Sequence, residues 1–465
     1  MYRNVINELV SWYEEQHRRI LFIKGAHGVG KTWTIKDFAT AYFSSQKYID
    51  CAEYPAFANI IAGIKPEITT APDDGTATDS SEETEQEDST VLSKEDLDDM
   101  SIGSRILDMD FLLEEHFENT KLNESLLIFD NVQDIPECAN FFYEFSKSHK
   151  DYTICLIAST MEITEYEYTH QDVFNIIRMR PMTFEEYMIA NKAHPFMNAI
   201  RNNKDKPLTS LEVNAISVML KEYLLIGGMP GAVLAYLKNK DFNDVRPVQL
   251  ALLEDYRVLI KDKFSQALGQ RCKRIWKSIP KQLTKDNKKF MYRFVDSNAR
   301  SREYSEATQA LCNLGIARKL PRLEKGVMPL EDYVDYKAFE LFYIDHGLLR
   351  ASYGLPMNEE LTIEEIFAEE NGAIAEQFLF QELSHNVGNL YYWTSGATAR
   401  VPFVYEGENG PIPVDIRFIS NKKAQNIKAF LTKTPDTELT LKISLEQVSM
   451  DGKVLNIPAY GLWNM

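Results

Sequence analysis

The sequence predicts an α/β fold organised around a parallel sheet. An apolar run at residues 20–23 leads into a glycine-rich loop, a second apolar run ends in Asp130, and a third ends at Ser159. Continuous apolar runs of this length are typical of strands that are buried on both faces of a parallel sheet. Residues 32–42 are predicted to form a helix, so strand, loop and helix follow one another.

The glycine-rich loop reads GAHGVGKT over residues 25–32, which is the G-x-x-x-x-G-K-T pattern of a phosphate-binding loop. Glycines let the backbone amides surround a phosphate, and the helix N-terminus adds the positive end of its dipole. Lys31 is expected to reach the β- and γ-phosphates, and the Thr32 hydroxyl to ligate Mg²⁺. The alternative is a chance glycine turn before an ordinary helix. The predicted ATP-binding residues are Gly25, Ala26, His27, Gly28, Val29, Gly30, Lys31, Thr32 and Trp33.

The other two apolar runs place polar side chains where α/β sheets bind ligands. Asp130 ends the run SLLIFD, so its carboxylate is predicted to lie at the C-terminal edge of the sheet and to orient hydrated Mg²⁺. The predicted metal ligands are therefore Thr32 and Asp130. Ser159 ends the run TICLIAS and either senses the γ-phosphate or the attacking water, or caps the following turn.

Composition limits the class of protein. The chain has 465 residues, of which 44% are hydrophobic and 26% charged, as expected for a globular protein of about three or four domains. No apolar run approaches the roughly 18 residues of a membrane span. Arg3 and Glu8 precede the first strand, which argues against a secretory signal. The five scattered cysteines form no C-x-x-C pair and predict reduced thiols, hence a cytoplasmic location.

Charge is unevenly distributed in a chain whose formal net charge is −18. Residues 65–100 are acidic and contain no aromatic side chain, so they are predicted to form a disordered or mobile insertion. This insertion is either a solvated spacer or a segment that docks on a basic surface. Residues 261–303 carry thirteen Lys or Arg against four Asp or Glu. They predict either a surface for DNA or a protein partner, or a solvated basic face that pairs with acidic neighbours.

Several further segments give the chain a family resemblance. The matching pieces are GAHGVGKT, KYIDC, LLIFDNVQDIP, PMTFEEY and YLLIGGMP, followed by residues 278–290, 299–320, 341–349, 371–383 and the terminal IPAYGLWNM. In this order they resemble prokaryotic AAA-type ATPases, related to archaeal ATPases, that end in an uncharacterised C-terminal region. Only the first piece is specific when taken alone.

The resemblance implies four regions. It implies a P-loop NTPase (AAA-like) core over residues 1–189 and a helical lid over 190–262. A winged helix would follow over 263–350, and an α/β domain that resembles restriction nucleases over 351–465. Gly227, Gly228 and Pro230 would form a tight turn in the lid, and Gly315 would end a helix of the winged helix.

One departure from the family affects hydrolysis. The family normally has Glu after the Asp of the second strand, whereas this chain has Asn131, which holds water but cannot take its proton. Gln133 or Asp134 either position the water instead or only hydrogen-bond the loop. Arg178 and Arg180 match the family's phosphate-contacting arginine poorly. The predicted catalytic residues are Lys31, Asp130, Asn131 and Ser159.

A second departure affects the C-terminal domain. Glu376 matches the first acidic position of the nuclease pattern, but Arg400 stands where a further carboxylate is expected. Asp415 is a usable carboxylate, while Arg417 stands where the family has Lys and cannot act as a base. We predict a degenerate nuclease fold without activity. The whole chain is thus predicted to bind ATP and Mg²⁺ as a slow ATPase or nucleotide-dependent switch, or else as an interaction or DNA-binding module without turnover.

Overall fold

The computed structural model describes most of the chain. The described residues are 1–15, 19–64, 101–117, 121–204, 206–297, 299–396, 399–418 and 424–465. The acidic segment 65–100, for which the sequence predicts an insertion, lies outside them. Among the described helices, none is both long enough and apolar enough to cross a bilayer.

A five-stranded parallel sheet forms the N-terminal part of the chain. Its strands are β1 (Ile20–Gly25), β2 (Ser45–Asp50), β3 (Ser125–Asp130), β4 (Thr153–Ala158) and β5 (Phe174–Met179), in the spatial order β2-β3-β4-β1-β5. Every residue of β1, β3 and β4 is buried, because each of these strands has neighbours on both sides and helices on both faces. The predicted α/β fold with a parallel sheet is therefore confirmed, and the carboxyl ends of its strands meet at one edge.

Helices cover both faces of this sheet. They are α1 (Ile6–Tyr13), α2 (Lys31–Tyr42), α3 (Pro55–Ala62), α4 (Ile102–His116), α5 (Cys138–Ser148) and α6 (Glu165–Thr169). On one face, Trp12 of α1 and Phe38 of α2 pack in the same cluster as Ile23 of β1. On the other face, Phe57 and Phe142 pack against Phe129 of β3. Burial of such aromatic side chains fixes the sheet between its helices.

Five helices follow the parallel sheet. They are α7 (Phe184–Ala190), α8 (His194–Arg201), α9 (Ser210–Ile226), α10 (Pro230–Asn239) and α11 (Val245–Lys263). α7 begins with a capping box, in which Thr183 and Glu186 each accept from the other's backbone N–H. The predicted turn between α9 and α10 is also present. Gly228 is required there because a Cβ would lie 2.2 Å from the Met182 carbonyl oxygen.

A mixed eight-stranded sheet occupies the C-terminal part. The helices and strands of this part are, in chain order, α12 (Gln266–Leu283), α13 (Ser301–Asn313), β6 (Ala317–Leu323), β7 (Val334–Tyr343), α14 (His346–Tyr353), α15 (Ile363–Asn386), β8 (Leu390–Thr394), β9 (Arg400–Gly407), β10 (Gly410–Ile416), α16 (Ala424–Lys433), β11 (Thr440–Ser444), β12 (Ser449–Asp451) and β13 (Val454–Pro458). The spatial order is β12-β13-β11-β10-β9-β8-β6-β7. The backbone of α15 is non-helical at residues 369–372.

The eight-stranded sheet crosses one predicted domain boundary. β6 pairs with β8 in parallel, so strands from the predicted winged helix and the predicted nuclease-like domain share one sheet. Within residues 299–320, the helix ends at Asn313, Gly315 adopts a left-handed conformation with φ of 75°, and β6 begins at Ala317. Gly315 thus follows the end of a helix as expected. The domain boundaries themselves remain predictions.

The C-terminal part packs directly on the N-terminal sheet. A Cβ on Gly315 would lie 3.2 Å from the Cβ of Ala26, so only glycine allows this approach to residues 25–32. The backbone N–H of Met161, just after β4, donates to the Asn313 carbonyl at 2.7 Å. The end of α13 therefore touches both the glycine-rich loop and the segment that follows Ser159.

Candidate functional site

The glycine-rich loop (residues 25–32, hereafter the phosphate loop) joins β1 to α2. Gly28 and Gly30 have φ of 83° and 91°, which residues with a Cβ adopt only at a cost. Glycine is needed at position 25 for a different reason, since a Cβ there would lie 2.5 Å from the Met179 carbonyl oxygen of β5. The loop conformation thus depends on glycine at two positions and on close strand packing at the third.

Lys31 is the first residue of α2 and is 6% exposed. Its Nζ donates to the carbonyl oxygens of Gly25 and Ala26, both at 3.0 Å, and to the Ser159 hydroxyl at 3.1 Å. Burial lowers the pKa of Lys31 to about 8, against the opposing effect of Asp130. Neutral carbonyl and hydroxyl groups compensate a buried ammonium less well than anionic oxygens do. The hydrogen-bond partners of this buried ammonium are therefore all neutral in the described part of the chain.

Asp130 lies next to Thr32 at the carboxyl end of β3. The Thr32 hydroxyl donates to the Asp130 Oδ2 at 2.6 Å, and the Tyr48 phenol donates to the same oxygen at 3.0 Å. The other oxygen, Oδ1, accepts from the backbone N–H of Asn131 at 2.8 Å. A hydroxyl and a carboxylate in contact are the ligand types of a Mg²⁺ that also binds substrate phosphates. The two predicted metal ligands are thus adjacent, and this donor set fits Mg²⁺.

Asn131 is held by a residue that the sequence did not indicate. Its backbone is left-handed, with φ of 60°, a conformation that Asn tolerates better than most residues. Its side-chain amide donates to the Asp50 Oδ1 at 2.8 Å. Asp50 ends β2 and pairs in register with Asp130 across the parallel ladder. Asp50 belongs to KYIDC, a segment that the family resemblance included without assigning a role to this carboxylate.

The side chains of Gln133 and Asp134, just after β3, contact the end of β4 and the end of α11. The Gln133 Oε1 accepts from the backbone N–H of Ser159 at 2.9 Å, which links the ends of β3 and β4. Asp134 forms an ion pair with Lys263 at 2.6 Å, next to the end of α11. Of the two interpretations that the sequence left open for this pair, these contacts favour hydrogen bonding of the loops.

A cavity of about 520 Å³ opens over the phosphate loop (hereafter the loop cavity). Gly25, Ala26 and Val29 do not line it: Gly25 faces β5, Val29 is fully buried, and Ala26 borders a different cavity. The sequence-predicted residues that line the loop cavity are His27, Gly28, Gly30, Lys31, Thr32, Trp33, Asp130, Asn131 and Ser159. The structure therefore brings both predicted metal ligands and all four predicted catalytic residues together.

Several other residues of the loop cavity come from distant parts of the chain. Arg3 donates to the Val29 carbonyl through Nη1 at 2.6 Å and forms a buried ion pair with Glu186 at 3.0 Å, which fastens the N-terminal segment to the loop. Pro230 and Leu234 of α10 also line the cavity. Leu234 and Trp33 are 54% and 48% exposed, so the cavity has accessible apolar surface as well as polar groups. No local sequence pattern indicated that Arg3, Pro230 or Leu234 would line this cavity.

α11 supports the phosphate loop from outside the cavity. The Tyr256 phenol donates to the His27 carbonyl at 2.9 Å. A Cβ on Gly28 would lie 2.7 Å from a methyl carbon of Leu252 and 3.3 Å from Met229, so the second glycine also allows close helix packing. Side chains after the parallel sheet therefore fix the loop conformation.

Comparison with known families agrees with this geometry. Residues 14–166, which contain the phosphate loop and Asp130, match a family described as an AAA domain. The N-terminal part of the chain is therefore similar to AAA domains and is called the P-loop domain below. Residues 218–359 match a domain of unknown function (DUF8612), and residues 371–460 match another (DUF4143). The first of these matches crosses the predicted boundary between lid and winged helix at residue 262. No curated protein matches this chain.

Solved structures that share similarity with the chain include two nucleotide complexes. The Pif1 helicase from Bacteroides with ADP-AlF3 and single-stranded DNA has 13% identity, covers 48% of this chain and 50% of its own, and gives a TM-score of 0.21. The S. cerevisiae Hsp104–ADP complex has 13% identity, covers 68% and 39%, and gives a TM-score of 0.27. The matched parts span half or less of those structures, and similarity this low supports no statement about activity.

Proposed function

We propose that the P-loop domain binds ATP·Mg²⁺ in the loop cavity and acts as a slow ATPase or a nucleotide-dependent switch. The contact of 2.6 Å between the Thr32 hydroxyl and the Asp130 carboxylate, next to the buried Lys31, carries this proposal. The phosphates would lie over the N-terminus of α2, where backbone amides and the helix dipole favour anions. Bound Mg²⁺ would neutralise phosphate charge, and Thr32 and Asp130 are the residues that would hold it.

The remaining residues of the loop cavity suit the other parts of a nucleotide. Trp33 and Leu234 offer exposed apolar surface for the base. Ser159 accepts from the Lys31 ammonium, which supports a position of its hydroxyl on the γ-phosphate side of a bound nucleotide. Asn131 lies next to Asp130 and offers an amide for hydrogen bonds to water.

Hydrolysis requires a group that takes a proton from water, and Asn131 cannot do this. Asp50 lines the same cavity, and the Asn131 amide donates to it at 2.8 Å. We propose that Asp50 is the carboxylate that accepts the proton, with Asn131 as the bridge between the two acids. The Asp50 Oδ1 accepts hydrogen bonds from the Asn131 amide and from the Ala52 backbone N–H. An amide oxygen at the same position would accept both.

Asp50→Asn is the variant that tests turnover. It keeps an acceptor for Asn131 and Ala52 but removes the base, so we expect phosphate release to fall by about 10²-fold or more while affinity for a non-hydrolysable ATP analogue stays within about threefold. Phosphate release and analogue titration on the same preparation measure both quantities. Asp134→Asn is the matched control, because Asp134 pairs with Lys263 and does not line the loop cavity.

The outcomes distinguish the two candidate functions. Equal phosphate release by wild type and Asp50→Asn would remove Asp50 from the mechanism. Tight analogue binding without any phosphate release by the wild type would favour the alternative, a nucleotide-stabilised interaction module without turnover. No analogue binding by the wild type would overturn the proposed function altogether.

Affinity for Mg·ATP is expected to fall as the pH rises above about 8. Burial lowers the pKa of Lys31 to about 8 in the free protein, and phosphate oxygens would raise it because they stabilise the charged form. Between the two pKa values binding takes up a proton, so affinity decreases with rising pH. About tenfold weaker binding is expected near pH 9 than near pH 7. Calorimetric titrations in buffers of different ionisation enthalpy measure this uptake, and constant affinity without proton uptake would contradict it.

A role of residues 261–303 in binding DNA or a protein partner remains a proposal of lower rank. Lys263, Arg274 and Lys288 form ion pairs with acidic residues of the same chain, as the solvated-face interpretation expects. One face of α13, with Glu306 and Gln309, lines a cavity of about 750 Å³ together with residues 132–140 of the P-loop domain. Other cations of this segment are exposed, such as Lys277 and Lys281 on α12, and these would be the ones to contact a partner.

A further inference from the structure

A second cavity lies behind the phosphate loop, between β5, β6 and α15. Its volume is about 300 Å³, and Ala26 borders it (hereafter the arginine cavity). Arg178 and Arg180, at the end of β5, and Arg318 and Lys319, on β6, line it. No Asp or Glu among the described residues lines this cavity. The cavity therefore has a formal charge of about +4 next to, but outside, the loop cavity.

The three arginines find little compensation within the described part of the chain. None of the ion pairs there involves Arg178, Arg180 or Arg318. Arg180 donates through Nη1 to the Ser384 carbonyl, while its Nε is buried without a hydrogen-bond partner. The Arg318 guanidinium lies 4.6 Å from the centroid of the Phe380 ring, a contact that orients it but supplies no counter-charge.

Burial and neighbouring positive charges lower the pKa of two of these arginines. Burial lowers the pKa of Arg180, and the neighbouring Arg178 lowers it further. Burial likewise lowers the pKa of Arg318, with further contributions from Arg180 and Arg178. Like charges that face one another in a cleft are unfavourable unless an anion joins them. All three are partly or well exposed, so a ligand reaches them from solvent.

We propose that the arginine cavity binds a phosphate-bearing anion, with Arg178, Arg180 and Arg318 as its ligands. Guanidinium groups match the geometry of phosphate oxygens through paired N–H donors, and Arg is favoured over Lys for this reason. A single carboxylate would leave most of the positive charge uncompensated, whereas a diphosphate or a run of phosphodiesters would not. The source is either a free polyphosphate or the backbone of a single-stranded nucleic acid.

The site differs from the loop cavity in position and in ligand set. Lys31, Thr32 and Asp130 line the loop cavity only, and the three arginines line the arginine cavity only. The inference therefore does not depend on ATP binding by the phosphate loop. A Lys31→Ala background removes the ammonium of the phosphate loop, so that anion binding measured there reports the arginine cavity.

The test uses the full chain in the Lys31→Ala background. Calorimetric titration with pyrophosphate is expected to show one site, and Arg178→Gln or Arg318→Gln is expected to weaken it about tenfold or more each. Fluorescence anisotropy of a labelled single-stranded oligonucleotide forms the second arm. If the arginine variants lose pyrophosphate binding but not oligonucleotide binding, the ligand is a free polyphosphate. If they lose both, the ligand is the backbone of a nucleic acid.

Arg257→Gln is the matched control, because Arg257 is exposed and lies outside both the arginine cavity and residues 261–303. Thermal unfolding of each variant checks the fold. Arg178 is exposed on an edge strand, so Arg178→Gln keeps the test valid if Arg318→Gln is unstable. The proposal is overturned if the parent protein binds neither anion, or if Arg178→Gln binds both as tightly as Arg257→Gln does.

Discussion

Lys31→Ala is expected to abolish measurable nucleotide binding, with affinity reduced by at least about 100-fold. The buried ammonium of Lys31 lies inside the loop cavity, at 3.0 Å from the Gly25 and Ala26 carbonyl oxygens of the phosphate loop. Hydrogen bonds to charged groups contribute about 1.5–3 kcal/mol each, so loss of two such bonds to phosphate accounts for a change of this size. Calorimetric titration with Mg²⁺ and a non-hydrolysable ATP analogue measures it.

Two controls separate this effect from damage to the fold. Lys281→Ala removes the same charge from the exposed face of α12, outside the loop cavity, and is expected to leave affinity unchanged. Without nucleotide, Lys31→Ala is expected to unfold at the same temperature as the wild type or higher, because it removes a buried ammonium that only neutral groups contact. Nucleotide should raise the unfolding temperature of the wild type alone. Affinity of Lys31→Ala within threefold of wild type would contradict the proposed site.

The core of the site was predictable because its geometry is local. A strand buried on both faces must be apolar along its whole length, so the runs at β1, β3 and β4 were visible in the sequence. The end of such a strand fixes where the next polar side chain lies. Thr32 and Asp130 could therefore be placed together, although 98 residues separate them.

The rest of the site depends on tertiary contacts that leave no local pattern. Arg3 reaches the Val29 carbonyl and Glu186, and Tyr256 reaches the His27 carbonyl from 229 positions away. Neither residue differs in sequence context from an ordinary surface Arg or core Tyr. Asp50 was different, because it belongs to the family-matching segment KYIDC, yet its partnership with Asn131 required the parallel pairing of β2 and β3.

The grouping of charges in the arginine cavity could not be predicted from the sequence either. The sequence weighed Arg178 and Arg180 only as contacts for the ATP phosphates, because they stand near the matching family segment. The structure places both outside the loop cavity and joins them with Arg318, a residue of the C-terminal sheet. Net charge along a sequence indicates neither which cations are paired nor which face one another across a cleft.

The predicted nuclease-like position contains a buried ion cluster. Arg400 donates through Nη2 to Glu340 at 2.6 Å and to Glu376 at 2.7 Å, and Lys288 lies 3.2 Å from Glu376. Glu340 and Glu376 are 0% and 3% exposed. Two cations and two carboxylates leave this cluster formally neutral. Asp415 is paired elsewhere, with Arg417 at 2.8 Å, and no group of three potential metal-binding acids, histidines or cysteines occurs among the described residues.

Arg400→Met is therefore expected to destabilise the chain by about 3–5 kcal/mol, because its removal leaves two buried carboxylates with Lys288 as the remaining cation of the cluster. Burial already raises the pKa of Glu340, and Arg400 opposes that effect, so the pKa rises further in the variant. An acid whose folded pKa lies above its unfolded value loses stability as the pH rises, so the deficit should be larger near pH 8 than near pH 5. Denaturant unfolding at both pH values measures it.

Two further variants decide whether charge or packing causes the loss. Arg417→Met removes an arginine from the more exposed pair with Asp415 and is expected to cost about 1 kcal/mol or less. Glu340→Gln combined with Arg400→Met replaces one of the two buried carboxylates by a neutral amide. The double variant should recover much of the lost stability, and its free energy of unfolding should depend less on pH. An Arg400→Met deficit that is independent of pH and unchanged by Glu340→Gln would show that side-chain packing, and not the charge of Arg400, holds the two carboxylates in place.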